Sequence, residues 1–309
     1  MVTRTIYSMI DIESHKQNGK VFIMAFDGED RSYYGWNKLA SNDSRFESLL
    51  VLSYDRNLFE EKKSLIILKG DVDLTVIDIP IEQSDFVDAL IGIEELSHYN
   101  ELTIDISCMK TPNLFLMMKY LRVLGNIHRI SIINTIPYDY IFGEQPFASY
   151  KTYLGDLELR EIIGYSGSDD MSVEEDLYIF LGFEGPMATK VVENTVFKDL
   201  YIVNTMPSYY QKYKDVSVVN NYSLVTSKGN KISFVPAGNP FEVYNTLDTI
   251  IDSDKPICIA PLCTKPISLG ICMYALDHDN VRIIYPYSNI NNGIKSREVH
   301  VSYLYTIEW

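Results

Sequence analysis

Three turns in this sequence carry side chains that can do chemistry. The first is Phe26-Asp27-Gly28-Glu29-Asp30-Arg31-Ser32, echoed later by Phe183-Glu184-Gly185-Pro186. Glycine lets a backbone turn tightly and approach a ligand. The acids Asp27, Glu29 and Glu184 can accept hydrogen bonds from ribose hydroxyls or a purine amino edge, or cap a following helix. Gly28, Gly185 and Arg31 complete the candidate set in these turns. The second turn is Ser107-Cys108-Met109-Lys110-Thr111-Pro112, echoed by Pro261-Leu262-Cys263-Thr264-Lys265-Pro266. Lys110 and Lys265 each offer a point charge, and Thr111 and Thr264 a hydroxyl. The proline beside them suits a first helical turn. A helix start favours anions, so this pattern can cradle a phosphate or ribose. The third turn is Pro236-Ala237-Gly238-Asn239-Pro240, where Asn239 can read a base edge. Each turn also has a plain account, as a helix cap or an ordinary surface turn.

Other chemistries find little support. No GxGxxG, GxSxG, HExxH or P-loop signature is present, so no dinucleotide cofactor and no catalytic residue is assigned. Cys108, Cys258, Cys263 and Cys272 form no CxxC pair, and the five histidines form no HxH or HxxxH pattern. No metal is expected on that spacing, and four reduced thiols point to a cytoplasmic protein. The net charge of −15 repels phosphate backbones and anionic lipids. General nucleic-acid binding and membrane-surface binding are therefore not expected. Neither a secretory leader nor a spanning run is read from the sequence.

The elements that position these turns come in two sets. VFIMAF and YIFLGF, LLVLSY and LYIVNT, LTVIDI and ISFVPA, LTIDIS and ICIAPL, and RISIIN and VRIIYP succeed one another in the same order, about 155 residues apart. Five ordered matches indicate an internal duplication. The runs are β-branched and apolar throughout, as in strands buried on both faces of a parallel sheet. Between them Leu114, Met117, Met118 and Leu121 keep helical spacing. Alternating strands and helices predict an α/β fold of two Rossmann-like doubly wound units, packed pseudo-symmetrically. Each unit is expected to close with its own antiparallel edge strands, SYKTYLGDLELREIIGY in the first and EVHVSYLYTIEW in the second. The polar, acidic stretch 164–176 reads as the linker, dividing the chain into 1–165 and 166–309. The tyrosines at 209, 210 and 213 lie in an irregular segment, where they can stack on a planar ligand or simply pack.

The segment IAPLCTKPISLGICMYAL resembles the strand–GGTK–helix segment of CARF domains, the Rossmann-like sensors of cyclic oligoadenylates in prokaryotic antiviral systems. Thr264 and Lys265 match its Thr-Lys, and Pro266-Ile267 match the pair after it. Leu262 and Cys263 stand where that pattern has two glycines, and the first copy reverses the Thr-Lys order at Lys110-Thr111. The duplicated plan is similar to SAVED domains, which look like two fused CARF units. The resemblance implies a nucleotide-derived ligand shared between both halves and a regulatory output through an effector chain, a nuclease or helicase, in antiviral defence. Two other expectations remain open beside it. One is hydrolysis of a nucleotide phosphodiester or glycosidic bond by acids and lysines of the same turns. The other is a non-catalytic interaction subunit with a degenerate pocket.

Overall fold

The computed structural model describes residues 10–11, 19–42, 44–141, 157–167, 174–227, 230–252, 255–288 and 296–309. It forms two compact units, Met1–Ile141 with Gly293–Trp309, and Phe142–Asn292.

In the first unit, β2 (Val21–Phe26), β3 (Ser48–Ser53), β4 (Asp73–Asp78), β5 (Glu101–Asp105) and β6 (Arg129–Tyr140) are parallel. All six residues of β2 are buried, as a strand covered on both faces must be. The crossovers are α1 (Arg31–Ser41), α2 (Arg56–Lys62), α3 (Gln83–Ile91) and α4 (Thr111–Leu124). Pro112 sits in the first turn of α4, and Gly125, at φ 71°, ends it. Leu114, Met117, Met118 and Leu121 are all buried. The sheet order is β1-β13-β6-β5-β2-β3-β4, where β1 is Ile10–Asp11 and β13 is Ser296–Glu308. Counting only the parallel strands, the chain order is 3-2-1-4-5, which is doubly wound. Its switch point lies between β2 and β5. Phe22 packs edge-on against Trp36 and Phe26 against Phe59, with ring centroids 5.2 and 5.3 Å apart.

The second unit repeats this order. Its sheet runs β10-β9-β8-β11-β12-β7, from β7 (Leu157–Ser166), β8 (Asp176–Phe180), β9 (Leu200–Thr205), β10 (Lys231–Val235), β11 (Ile257–Pro261) and β12 (Val281–Ser288). The helices are α5 (Gly185–Asn194), the short α6 (Val216–Asn220) and α7 (Tyr222–Thr226), α8 (Pro240–Ile250) and α9 (Lys265–Asp277). Every residue of α9 from Pro266 to Ala275 is buried, so this helix has no polar face to show.

The edge strands differ from the sequence expectation. Each unit does gain an antiparallel strand, but from the far half of the chain. β7 pairs with β12 in the second sheet, and β13 pairs with β6 in the first. The boundary is therefore not at 165/166. The polar stretch 164–176 joins β7 to β8 within the second unit, and its residues 168–173 lie outside the described ones. Residues 149–156 of the first expected edge strand do so too. The physical reason is that an apolar edge strand satisfies any open sheet edge of the right register, and alternation alone does not say which. β13 spans its partner from Ser296↔Tyr140 to Glu308↔Arg129, and Leu304 joins the first unit's core. Glu175, read as a solvated linker acid, instead holds the guanidinium of Arg282 at 2.9 and 3.1 Å.

Candidate functional site

The first unit brings two of the predicted turns to its switch point. Strand β2 ends into Asp27–Ser32 and β5 into Ile106–Lys110, side by side at the carboxyl edge of the sheet. Gly28 takes a φ of 87°, and Lys62 Nζ donates to its carbonyl at 2.6 Å. Asp27 Oδ1 accepts from the Glu29 amide at 3.0 Å and from Ser32 Oγ at 2.8 Å. Glu29 is 2% exposed. Its Oε2 receives Arg31 Nε at 2.6 Å and the hydroxyl of Ser296, at the start of β13. Burial works against the charge of Arg31, but the acids Glu29 and Asp27 outweigh it and hold the guanidinium firmly protonated.

At the end of β5, beside that turn, Asp105 is 2% exposed. Its Oδ1 accepts from the Ser107 amide at 2.9 Å and from the Ser107 hydroxyl, whose oxygen takes the Thr135 amide at 2.7 Å. Its Oδ2 is buried with no hydrogen-bond partner. Burial raises the Asp105 carboxyl to about 7, against the opposing pull of Ser107 and Arg31. Burial likewise pushes the Cys108 thiol well above its usual range, and Asp27 adds to this.

Sequence reasoning passed over Asp105, Ser107, Cys108 and Ser296. Ser107 and Cys108 belong to a candidate turn, but nothing local marks them as partners of Asp27 and Glu29. The structure sets one donor atom each of Asp27, Glu29 and Cys108 within 4.8 Å of one another. No metal was expected from spacing along the chain; this cluster is made by two turns about 80 residues apart, which spacing does not register.

At the outer side of the crevice, Lys110 is exposed and its ammonium lies over the Tyr54 ring, 4.6 Å from the centroid. The Tyr54 hydroxyl takes the Lys110 amide at 2.7 Å and donates to Asn113 at 3.0 Å. Thr111 begins α4 and is buried, so its hydroxyl faces protein rather than solvent.

The same turns in the second unit are packed against their own chain. A Cβ on Gly182 would lie 1.8 Å from the Leu262 carbonyl oxygen, so the turns after β8 and β11 already touch. A Cβ on Gly185 would lie 2.1 Å from the Asn220 oxygen. Asn220 and Asn221 donate side-chain hydrogen bonds to Phe183 and Gly182 at 2.5 and 3.1 Å. The end of α6 and the segment before it thus cover the turn after β8, and Tyr213 is buried with its ring 5.7 Å from that of Phe183. Three candidate residues are engaged within the chain here. A Cβ at Gly185 has no room beside the Asn220 carbonyl oxygen. Asn239 caps α8, its Oδ1 taking the amides of Phe241 and Glu242 at 3.1 and 3.2 Å. The Thr264 hydroxyl donates to the Ala237 carbonyl at 2.9 Å. Glu184 precedes α5 and Lys265 opens α9, both part-buried at this packed edge.

A separate cleft of about 970 Å³, lined by Trp36, Arg45, Phe46, Glu47, Lys69 and Asp71 among others, opens at the amino ends of β3 and β4. It lies at the opposite edge of the sheet from the switch-point turns. Among the described residues, no helix is long and apolar enough to cross a membrane.

No family model matches this chain, and no curated protein does. Among solved structures, the cytoplasmic domain of a prokaryotic cation chloride cotransporter aligns over 88% of this chain and 96% of its own, at 9% identity and a TM-score of 0.26. A functionally unknown protein from Pseudomonas aeruginosa PAO1 aligns over 86% of this chain and 91% of its own, also at 9% identity, with a TM-score of 0.23.

Proposed function

We propose that this chain is a nucleotide-responsive regulatory module whose ligand binds in the first unit, beyond the carboxyl ends of β2 and β5. The observation that carries this reading is the contrast between two copies of one crevice. In the first unit the switch-point turns end in Asp27, Glu29, Arg31 and Lys110. In the second unit Asn220 and Asn221 close on the turn after β8 with backbone and side-chain contacts, and that turn also meets Leu262 of the turn after β11, whereas in the first unit it is the Leu58 side chain that closes on Gly28. Ligands of open doubly wound sheets bind at this switch point.

The parts divide the ligand between them. Lys110, at the start of α4, faces a phosphate with its ammonium and the helix amides behind it. Asp27, half-buried, accepts from ribose hydroxyls. Arg31 and Ser296 hold Glu29 so that this wall keeps its shape. Tyr54 fixes Lys110 from below. The net charge of −15 suits a basic partner protein as the output.

The test is thermal unfolding against mononucleotides, dinucleotides and linear and cyclic oligonucleotides, with mass spectrometry of the ligand afterwards. Ligand at 100 times its dissociation constant stabilises by about 2.7 kcal/mol, a shift of a few degrees at this size. The expected result is a shift with intact ligand, lost in Lys110→Ala. No shift with any nucleotide overturns the reading, and a shift with cleaved ligand replaces it with hydrolysis.

A further inference from the structure

We infer that Asp27, Glu29 and Cys108 form a binding site for one divalent cation of zinc type, with its open coordination position facing the crevice of the first unit. The site shares residues with the proposed nucleotide crevice, but it stands on its own geometry and is tested with no nucleotide present.

The argument begins with donors. Two carboxylates and a thiol, each offering one atom, lie within 4.8 Å of one another. Bonds of about 2.0–2.3 Å put adjacent tetrahedral donors roughly 3.3–3.8 Å apart, so small side-chain rotations close the set. Magnesium and calcium prefer oxygen alone, whereas a thiolate beside carboxylates selects a borderline-soft ion. Three protein ligands leave a fourth position for water or a ligand oxygen.

The donors are also held as metal ligands are held. Asp27 is fixed by Ser32 and by the Glu29 amide, and Glu29 by Arg31 and Ser296. Carboxylate ligands tied down by outer hydrogen bonds are preorganised for an ion.

The second, independent observation is Asp105. Its Oδ2 is buried without a hydrogen-bond partner, against Gly35 of α1, one helical turn below Arg31 on the same face. Asp27, Glu29 and Asp105 therefore gather around one guanidinium. Buried charge is tolerated when it is paired. With Cys108 as thiolate, the three ligands carry three negative charges against the single positive charge of Arg31. A doubly charged ion closes that balance. It also shares the load that Glu29 places on Arg31. Binding releases the Cys108 proton to solvent, and no electron changes hands.

The experiment uses the full chain, stripped with chelator and titrated calorimetrically with zinc alone, then with cobalt under absorption spectroscopy. The expected result is one zinc per chain and a thiolate-to-cobalt charge-transfer band. Cys108→Ser abolishes the band, Asp27→Asn weakens zinc binding at least about tenfold, and Cys263→Ser in the second unit binds like the parent. Absence of zinc binding, a cobalt spectrum without the thiolate band, or folded Cys108→Ser and Asp27→Asn chains that bind like the parent would overturn the inference. If either variant fails to fold, the parent's cobalt band decides.

Discussion

Asp105 ends β5 with one carboxyl oxygen saturated by Ser107 and the other facing carbon, the Cα of Gly35 and a methyl of Ile133. Burial raises its pKa from 3.8 to about 7. The folded chain therefore holds this proton more tightly than the unfolded one. The associated stabilisation is full below about pH 4 and is lost as the pH rises through 7. The shift corresponds to at most about 4 kcal/mol. In chelator, Asp105→Asn is expected to raise the unfolding temperature by a few degrees at pH 8 and by less than half as much at pH 5. An equal effect at both pH values would show that Asp105 is charged and paired throughout. This residue was invisible in the sequence for a definite reason. In LTIDI it reads as the polar position of a strand, and only the close approach of Gly35 shows that its surroundings are dry. Asp27, Glu29 and Lys110 were legible because turn composition marks them directly. Cys108 was not, because its partners come from another turn.

Between elements, the glycines of the second unit record contacts rather than a ligand. Gly182 and Gly185 meet the carbonyl oxygens of Leu262 and Asn220 with no room for a Cβ. Backbone on that side cannot swing away like a flexible side chain. Gly185→Ala is thus expected to destabilise the chain by about 1–3 kcal/mol, read as a lowered denaturant midpoint. Gly70, at φ 68° with open space around it, provides the comparison. Gly70→Ala carries only the left-handed backbone penalty of about 1 kcal/mol. If the two variants cost the same, the packed edge of the second unit is looser than described. The sequence marks a glycine as a place of close approach, but not what approaches. That is why Gly28, against the side chain of Leu58, and Gly185, against the backbone of Asn220, read alike until the chain was folded.

At the scale of the whole chain, the parallel strands and their doubly wound plan followed from pattern, since apolar runs alternating with helices leave few topologies. The exchange of β7 and β13 between the sheets did not, because edge pairing is long-range and alternation fits either edge. It makes a direct prediction. Fragments 1–165 and 166–309, cut where composition suggests, each lack the strand that closes their sheet. Neither is expected to unfold cooperatively alone, and co-expression of the two is expected to restore cooperative unfolding. Two independently stable fragments would contradict the exchange. The central claim, that the crevice of the first unit binds a nucleotide while its copy in the second does not, is tested most directly by calorimetric titration of whichever nucleotide stabilises the chain into three proteins: the parent, Lys110→Ala and Lys265→Ala. The structure leads us to expect affinity reduced at least about tenfold in Lys110→Ala, the cost of one lost charge-assisted contact of roughly 1.5–3 kcal/mol, and parent-like affinity in Lys265→Ala. Loss of binding in Lys265→Ala with Lys110→Ala unaffected would place the ligand in the other unit and contradict the account.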